Sequence, residues 1–275
     1  MLRTTRQGTG PPLVLCHGGP GLWDYLEPVA DMVDDLAIVY RYDQRACGRS
    51  SGEPPFDVAS AVADLEALRR HWRLDSWTVG GHSWGASLAL AYALEHPDRT
   101  AGLIYLSGTG VDPVWHSEYH ANQAALLTPD ERLRLDELKG EIFYASGEER
   151  RALDRELCEI VWSTDFGDRS RARELARSLW RDDVQINHRV NRELGEDARR
   201  VFESESLRQR LAQLQVPALV AHGEADPRPL WIAADLATRL PRAHFVPLAG
   251  VGHFPWLEQP DLLRRTLRVF LTAES

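Results

Sequence analysis

The sequence predicts an α/β protein with a mostly parallel central sheet flanked by helices and a helical cap inserted near its middle. Three observations predict it. Short, continuously apolar runs alternate with helical patterns through residues 1–112, as expected of parallel strands covered on both faces. The alternation stops at 113–210, where 38 of 98 residues are charged and only helical spacing is found. It resumes after Val216. The expected organisation is one core, residues 1–112 and 211–275, interrupted by a cap at 113–210, not two domains in series.

The elements follow in order. Leu13–His17 and Ala37–Tyr42 are short apolar runs that read as buried strands. Val58, Val62, Leu65 and Leu68 mark one face of a helix over Val58–Trp72. Ser76–Gly80 reads as a strand, Gly85–Leu94 as a buried helix rich in Ala and Leu, and Leu103–Leu106 as the next strand. Inside the charged stretch, Pro129 opens a helix with Thr128 as its N-cap, and Arg169–Trp180 reads as another helix. Ala218–His222 and His244–Leu248 are strands, with helices at Leu230–Leu240 and Asp261–Leu271. Gly8-Thr9-Gly10 precedes no helix and reads as a turn, not a phosphate loop.

Composition narrows the function classes. The 275 residues are 43% hydrophobic and 27% charged, proportions of a globular chain that needs no staple. A net charge of −9 disfavours a nucleic-acid partner, whose phosphates require a basic face. Lys139 is the one lysine and the other 31 basic residues are arginine, which reads as codon bias. Met1–Gly10 contains no apolar leader core, and no apolar run approaches the roughly 18 residues of a membrane span. Cys16, Cys47 and Cys158 are odd in number and far apart, which reads as reduced thiols in a cytoplasmic protein.

The chemistry centres on Gly81-His82-Ser83-Trp84-Gly85, between a predicted strand and a predicted helix. That is the context of a nucleophile elbow, where a sharp turn lifts the serine hydroxyl above the carboxyl edge of the sheet. A serine hydroxyl needs a neighbouring base. Among ten histidines, His253 follows the last strand within Gly250-Val251-Gly252-His253 and reaches the same edge. His17, His82 and His222 sit at strand ends and are expected to hydrogen-bond locally, and His96 reads as a helix end. The base needs a carboxylate to hold its tautomer. Asp226 follows the strand at 218–222, with Glu224 and Asp112 as the other acids in range. The order Ser, Asp, His is that of the α/β hydrolases. Oxyanion donors are expected from the backbone N–H of Trp84 and, in the loop His17-Gly18-Gly19-Pro20-Gly21, from Gly19. His17 is expected to pin that loop.

Together, HGGPG at 17–21, DQRACGRS at 43–50, GHSWG at 81–85, Asp226 and His253 resemble the prolyl aminopeptidases (proline iminopeptidases) of the α/β-hydrolase superfamily. The resemblance covers 1–112 and 211–275. It implies an α/β-hydrolase fold, catalytic Ser83, Asp226 and His253, and a cap that roofs the site. It also implies a two-step acyl-enzyme reaction, without metal or organic cofactor, that releases an N-terminal proline or other residue from small peptides. The family holds the substrate's amino terminus with cap glutamates, one of them in an Ile-Glu-Asn-His run. Gln185-Ile186-Asn187-His188 stands in the corresponding place without the glutamate, near Asp182, Asp183 and Glu193. Ala46 replaces a usual glycine in the second motif. A buried ammonium without a carboxylate is costly, so hydrolysis of a small ester, amide or lactone is the alternative.

Gly18, Trp162 and Trp180 are expected to touch the small-molecule or short-peptide substrate. Trp115, Tyr119, Phe143, Tyr144 and Phe166 could line the same pocket or pack between cap helices. His116 and His120 have the i, i+4 spacing of zinc ligands, but no third ligand follows at a zinc-site spacing. No metal, nucleic-acid or membrane partner is expected. A binding module on the same fold, and a lyase or acyltransferase with the same three residues, are the rival classes.

Overall fold

The computed structural model describes residues 1–273. Its sheet has seven strands: β1 (Thr4–Gly8), β2 (Pro12–Cys16), β3 (Ile38–Tyr42), β4 (Trp77–His82), β5 (Thr100–Leu106), β6 (Ala218–Gly223) and β7 (Ala243–Leu248). Their order is β1-β3-β2-β4-β5-β6-β7. Only β1 runs antiparallel, against β3; the other five pairings are parallel.

The strands alternate between two apolar layers, as a side-chain period of two requires. Val14, Cys16, Val79, Leu103, Tyr105 and Val220 face one cluster. Leu13, Leu15, Val39, Ile104, Leu106 and Leu219 face the other. The first layer packs on α2 (Val58–His71) and α3 (Trp84–Glu95). The second packs on α1 (Glu27–Ala30) and the later helix at Pro260–Ala273. Asp57 caps α2 by accepting from Ser60 N, and three basic residues close its last turn against the helix dipole.

Six helices lie between β5 and β6: α4 (Trp115–Leu126), α5 (Pro129–Tyr144), α6 (Gly147–Ser163), α7 (Ala172–Ser178), α8 (His188–Phe202) and α9 (Glu205–Leu211). Thr128 and Glu131 form a reciprocal capping box at the start of α5. A small cluster of Leu127, Leu135, Leu138, Ile142 and Ile160 is internal to this segment. The rest is shared with the sheet. Val190, Leu194, Phe202, Leu207 and Leu211 join the first layer, and Phe166, Leu175 and Ala176 join the second. After β6 come α10 (Leu230–Arg239), α11 (Pro255–Glu258) and α12 (Pro260–Ala273). Among the described residues no helix is long and apolar enough to cross a membrane.

One strand was not expected, and two expectations need correction. Strand β1 has no apolar run to announce it, because it is a polar, largely exposed edge held by its pairing to β3. The expected helix at 169–180 is only Ala172–Ser178: the Asp168 side chain takes the N–H and hydroxyl of Ser170 and turns the chain first. Phe143 and Tyr144 neither line a pocket nor pack between helices. They end α5 at 77% and 87% exposure.

Candidate active site

Ser83 stands between β4 and α3 with φ 57° and ψ −123°, a conformation L side chains rarely adopt. The crossing of strand and helix is too close for side chains at the neighbouring glycines. A Cβ on Gly81 would come 2.1 Å from the Gly85 carbonyl oxygen, and one on Gly85 would come 2.0 Å from that of Cys16. Ser83 N–H donates to Leu106 O at 3.0 Å, so the turn is fixed to the end of β5. Such turns concentrate strain of about 1–3 kcal/mol.

His253 is buried and its Nδ1 lies 2.5 Å from Asp226 Oδ2. Neither other acid takes that place: Glu224 is exposed, and Asp112 accepts from Val114 N–H. The other oxygen of Asp226 accepts from Arg228 N–H at 2.9 Å and Arg228 Nη1 at 3.1 Å. Burial alone would raise the Asp226 carboxyl, but His253 and Arg228 beside it hold it well below the ordinary carboxylate range. Arg228 Nη1 also donates to Asp165 Oδ1 at 2.8 Å, and its guanidinium lies 4.7 Å from the Tyr119 ring. Burial opposes the Arg228 charge, yet Asp165 and its other neighbours hold it protonated. Asp165 belongs to the loop after α6, Tyr119 to α4, so the segment between β5 and β6 braces the carboxylate.

The same segment holds the histidine loop. His253 N–H donates to Asp165 O at 2.6 Å. Glu258 accepts from Gly252 N–H at 2.7 Å and from Asp168 N–H at 2.9 Å. Among the described residues, the Ser83 hydroxyl is not hydrogen-bonded to the imidazole, a gap common before substrate arrives.

A second network joins the histidine loop to the first glycine loop. His82 Nε2 lies 2.8 Å from His253 O and therefore donates to it. Its Nδ1 then accepts from the Tyr25 hydroxyl at 2.8 Å, and Tyr25 in turn accepts from Gly18 N–H at 2.8 Å. Burial and the neighbouring His253 push the His82 imidazole well below the usual histidine range, which suits one donor and one acceptor. These bonds span 171 and 57 residues, so the local bonding expected of His82 is corrected. His17 does pin its loop: it bonds Gly18 O at 2.8 Å and accepts from Gln44 N–H at 3.1 Å. Gln44 also accepts from the Trp84 indole at 2.9 Å.

Among the described residues, the backbone N–H groups of Gly19 and Trp84 have no hydrogen-bond acceptor. Gly18 sits against the serine, since a Cβ there would be 3.0 Å from Ser83 Cβ, but its N–H is already given to Tyr25. Trp162 and Trp180 pack edge-on and tilted around Trp23, with ring centroids 5.7–6.5 Å apart. The start of α8 clamps both loops. Asn187 donates to Gly21 O and Ala46 O at 2.8 Å each, and Asn191 donates to Pro20 O at 2.8 Å.

The acids near Ile186 are otherwise engaged. Asp182 accepts from the Trp180 indole, Asp183 pairs with Arg181, and Glu193 pairs with Arg189. His116 pairs with Glu203, and among the described residues no group of three or more potential metal ligands comes together. All three cysteines are free and buried, and burial pushes the Cys16 and Cys47 thiols up to about 12.

Sequence reasoning missed Tyr25, Asp165, Arg228 and Glu258. None lies in a motif. Tyr25 with His82, Asp165 with Arg228 and Glu258 with Asp168 meet only through the fold, whereas Arg228 also bonds Asp226 two residues away.

Known proteins share this fold. The chain is 39% identical over 101 residues to a proline iminopeptidase of Neisseria gonorrhoeae, a match covering 34% of this chain and 32% of that one. The chain thus spans about a third of the length of the curated relatives it matches. An alpha/beta fold family hydrolase from Bacillus anthracis superposes with TM-score 0.77 at 20% identity, over 98% of this chain and 95% of that one. A proline iminopeptidase of Mycobacterium smegmatis superposes with TM-score 0.69 at 19% identity, over 99% and 95%. Residues 11–260 match the profile of the alpha/beta hydrolase fold, and the chain belongs to that family.

Proposed function

We propose that the protein is a serine hydrolase working through an acyl-enzyme, with Ser83 as nucleophile, His253 as general base and acid, and Asp226 as the carboxylate that orients it. The observation that carries this reading is the 2.5 Å bond from His253 Nδ1 to Asp226 Oδ2 at the edge where Ser83 turns. That bond leaves His253 Nε2 to take the serine proton. Ser83 Oγ attacks the substrate carbonyl, and the oxyanion is held by the N–H groups of Gly19 and Trp84. Each such donor is worth about 2.7–4 kcal/mol in the transition state. His253 then protonates the leaving group. A water molecule, deprotonated by the same imidazole, releases the acyl group.

Residues 113–210 act in this reading as a cap over the site, contributing Trp162 and Trp180 to the substrate side, with Gly18 beneath. The substrate reading supported by the motifs and by the sequence relative is release of an N-terminal residue, proline foremost, from short peptides. One observation favours a second reading, hydrolysis of a small ester, amide or lactone. Ile186 stands where the resembled family carries glutamate, and Asp182, Asp183 and Glu193 already have partners.

The test is a side-by-side assay of proline and alanine anilides and a short-chain aryl ester, with fluorophosphonate labelling of the native chain and Ser83→Ala. Labelling lost in Ser83→Ala, with turnover of the anilides, supports the peptide reading. Turnover of the ester alone supports the second. A native chain that neither labels nor turns over any substrate overturns both.

A further inference from the structure

Gln44, in the loop after β3, is 4% exposed, and every polar atom it has is used. Its N–H donates to His17 Nε2 at 3.1 Å and its Nε2 to His17 O at 2.7 Å. Its Oε1 accepts from the Trp84 indole at 2.9 Å, and its carbonyl accepts from Cys47 N–H at 2.9 Å. A buried primary amide is costly unless its groups are matched. An apolar side chain would fill the same space without that demand. What the amide adds is a tie between two segments that meet beside the serine. A Cβ on Gly85 would come 2.6 Å from His17 O, the carbonyl that Gln44 holds.

The tie reaches both backbone donors that lack an acceptor among the described residues, Gly19 N–H and Trp84 N–H. Burial pushes the His17 imidazole below its ordinary value, which keeps it neutral with a single N–H. Because Nε2 accepts from Gln44, that proton sits on Nδ1 and is donated to Gly18 O at 2.8 Å. The Gly18–Gly19 peptide is trans. Its carbonyl and N–H share one rigid plane and point to opposite sides. Fixing Gly18 O therefore aims Gly19 N–H. With glycine at 18 and 19 the loop has little stiffness of its own, so its aim depends on such bonds. At the other end, the indole bond ties down the residue that carries the second donor.

On the hydrolase reading above, we propose that Gln44 is a positioning residue. Through His17 and the Trp84 indole it holds the two oxyanion donors in place relative to each other, without touching the reacting atoms itself. Donors so fixed act where charge develops in the transition state, not on substrate binding.

The experiment compares the full native chain with Gln44→Met, which removes both side-chain bonds, and Trp84→Phe, which breaks the indole bond from its other end. Saturation kinetics are recorded for covalent labelling of Ser83 by an alkyl fluorophosphonate and for hydrolysis of p-nitrophenyl acetate, with urea midpoints alongside. Labelling requires no knowledge of the natural substrate. Gln44→Met should lower both maximal rates at least about tenfold, and Trp84→Phe at least about threefold, with KI and KM within about twofold of native. If Gln44→Met does not fold, Trp84→Phe decides alone. Native maximal rates in a folded variant, or a loss carried by KM and KI alone, overturn the proposal while the labelled native chain upholds the hydrolase reading. A native chain that neither labels nor hydrolyses the ester overturns both.

Discussion

The backbone N–H of His253 donates to the carbonyl oxygen of Asp165 at 2.6 Å, while the Asp165 carboxylate holds Arg228 at 2.8 Å. One residue of the segment between β5 and β6 thus touches the histidine loop with its backbone and, through Arg228, the carboxylate that orients the same histidine. That segment thus fixes the position of His253 through both its backbone and Arg228.

Arg228 is the first place to test this coupling. The charged groups facing His253 are Asp226, Arg228 and Asp165, with His82 and His222 packed beside them. Arg228→Met removes the cation that donates to Asp226 and helps hold its carboxyl low. Loss of that charge-assisted bond should lower kcat/KM about tenfold, equivalent to about 1.4 kcal/mol. Arg228→Lys retains the charge and should recover part of the rate. Equal kcat/KM in the three proteins would leave Arg228 with a packing role only.

Tyr25 links Gly18 N–H to His82, and His82 links to His253 O. Tyr25→Phe deletes one hydroxyl and leaves two buried groups unmatched, at about 1–3 kcal/mol each. Stability should fall by about 2 kcal/mol. The slackened glycine loop should lower kcat about tenfold with KM nearly unchanged, because an oxyanion contact acts in the transition state. Steady-state kinetics and urea unfolding of the one variant measure both; a rise in KM at constant kcat would argue against this role.

The elbow stores strain that the chemistry requires. Ser83→Gly should abolish turnover and raise stability by about 1 kcal/mol, since glycine tolerates φ 57°. Ser83→Ala should abolish turnover without that gain. Equal melting temperatures for the two variants would show that the turn is unstrained.

Three buried imidazoles, His17, His82 and His222, are held below the ordinary histidine value of 6.5, chiefly by burial. The unfolded chain takes up these protons as pH falls through about 6.5, and the folded chain does not. Stability is therefore full above that pH and declines below it, by up to about 1.4 kcal/mol per pH unit for each histidine. The carboxyls held low, Glu66 at about 2 and Asp226 lower still, withdraw their contribution only beneath the ordinary carboxylate range. The urea midpoint should be lower at pH 5.5 than at pH 7.5, and His222→Asn should flatten the slope. A midpoint constant across that interval would contradict burial as the controlling effect.

Strands β2 to β7, helices α2, α3, α5, α10 and α12 and the turn at Ser83 were legible in the amino-acid order, because each rests on near-neighbour chemistry. A period of two or 3.6, a proline at a helix start and glycines flanking a serine act within a few residues. Strand β1 was not legible, since its polar residues acquire meaning only when β3 lies beside them. The same holds for Tyr25 with His82, Asp165 with Arg228 and His82 with His253, separated by 57, 63 and 171 residues. A hydrogen bond across such a distance leaves no period and no spacing in the chain. The tertiary structure alone also decided that α8 and α9 share the sheet's apolar layer. Local sterics write the scaffold and its reactive turn into the sequence; burial and pairing between remote segments decide what surrounds them.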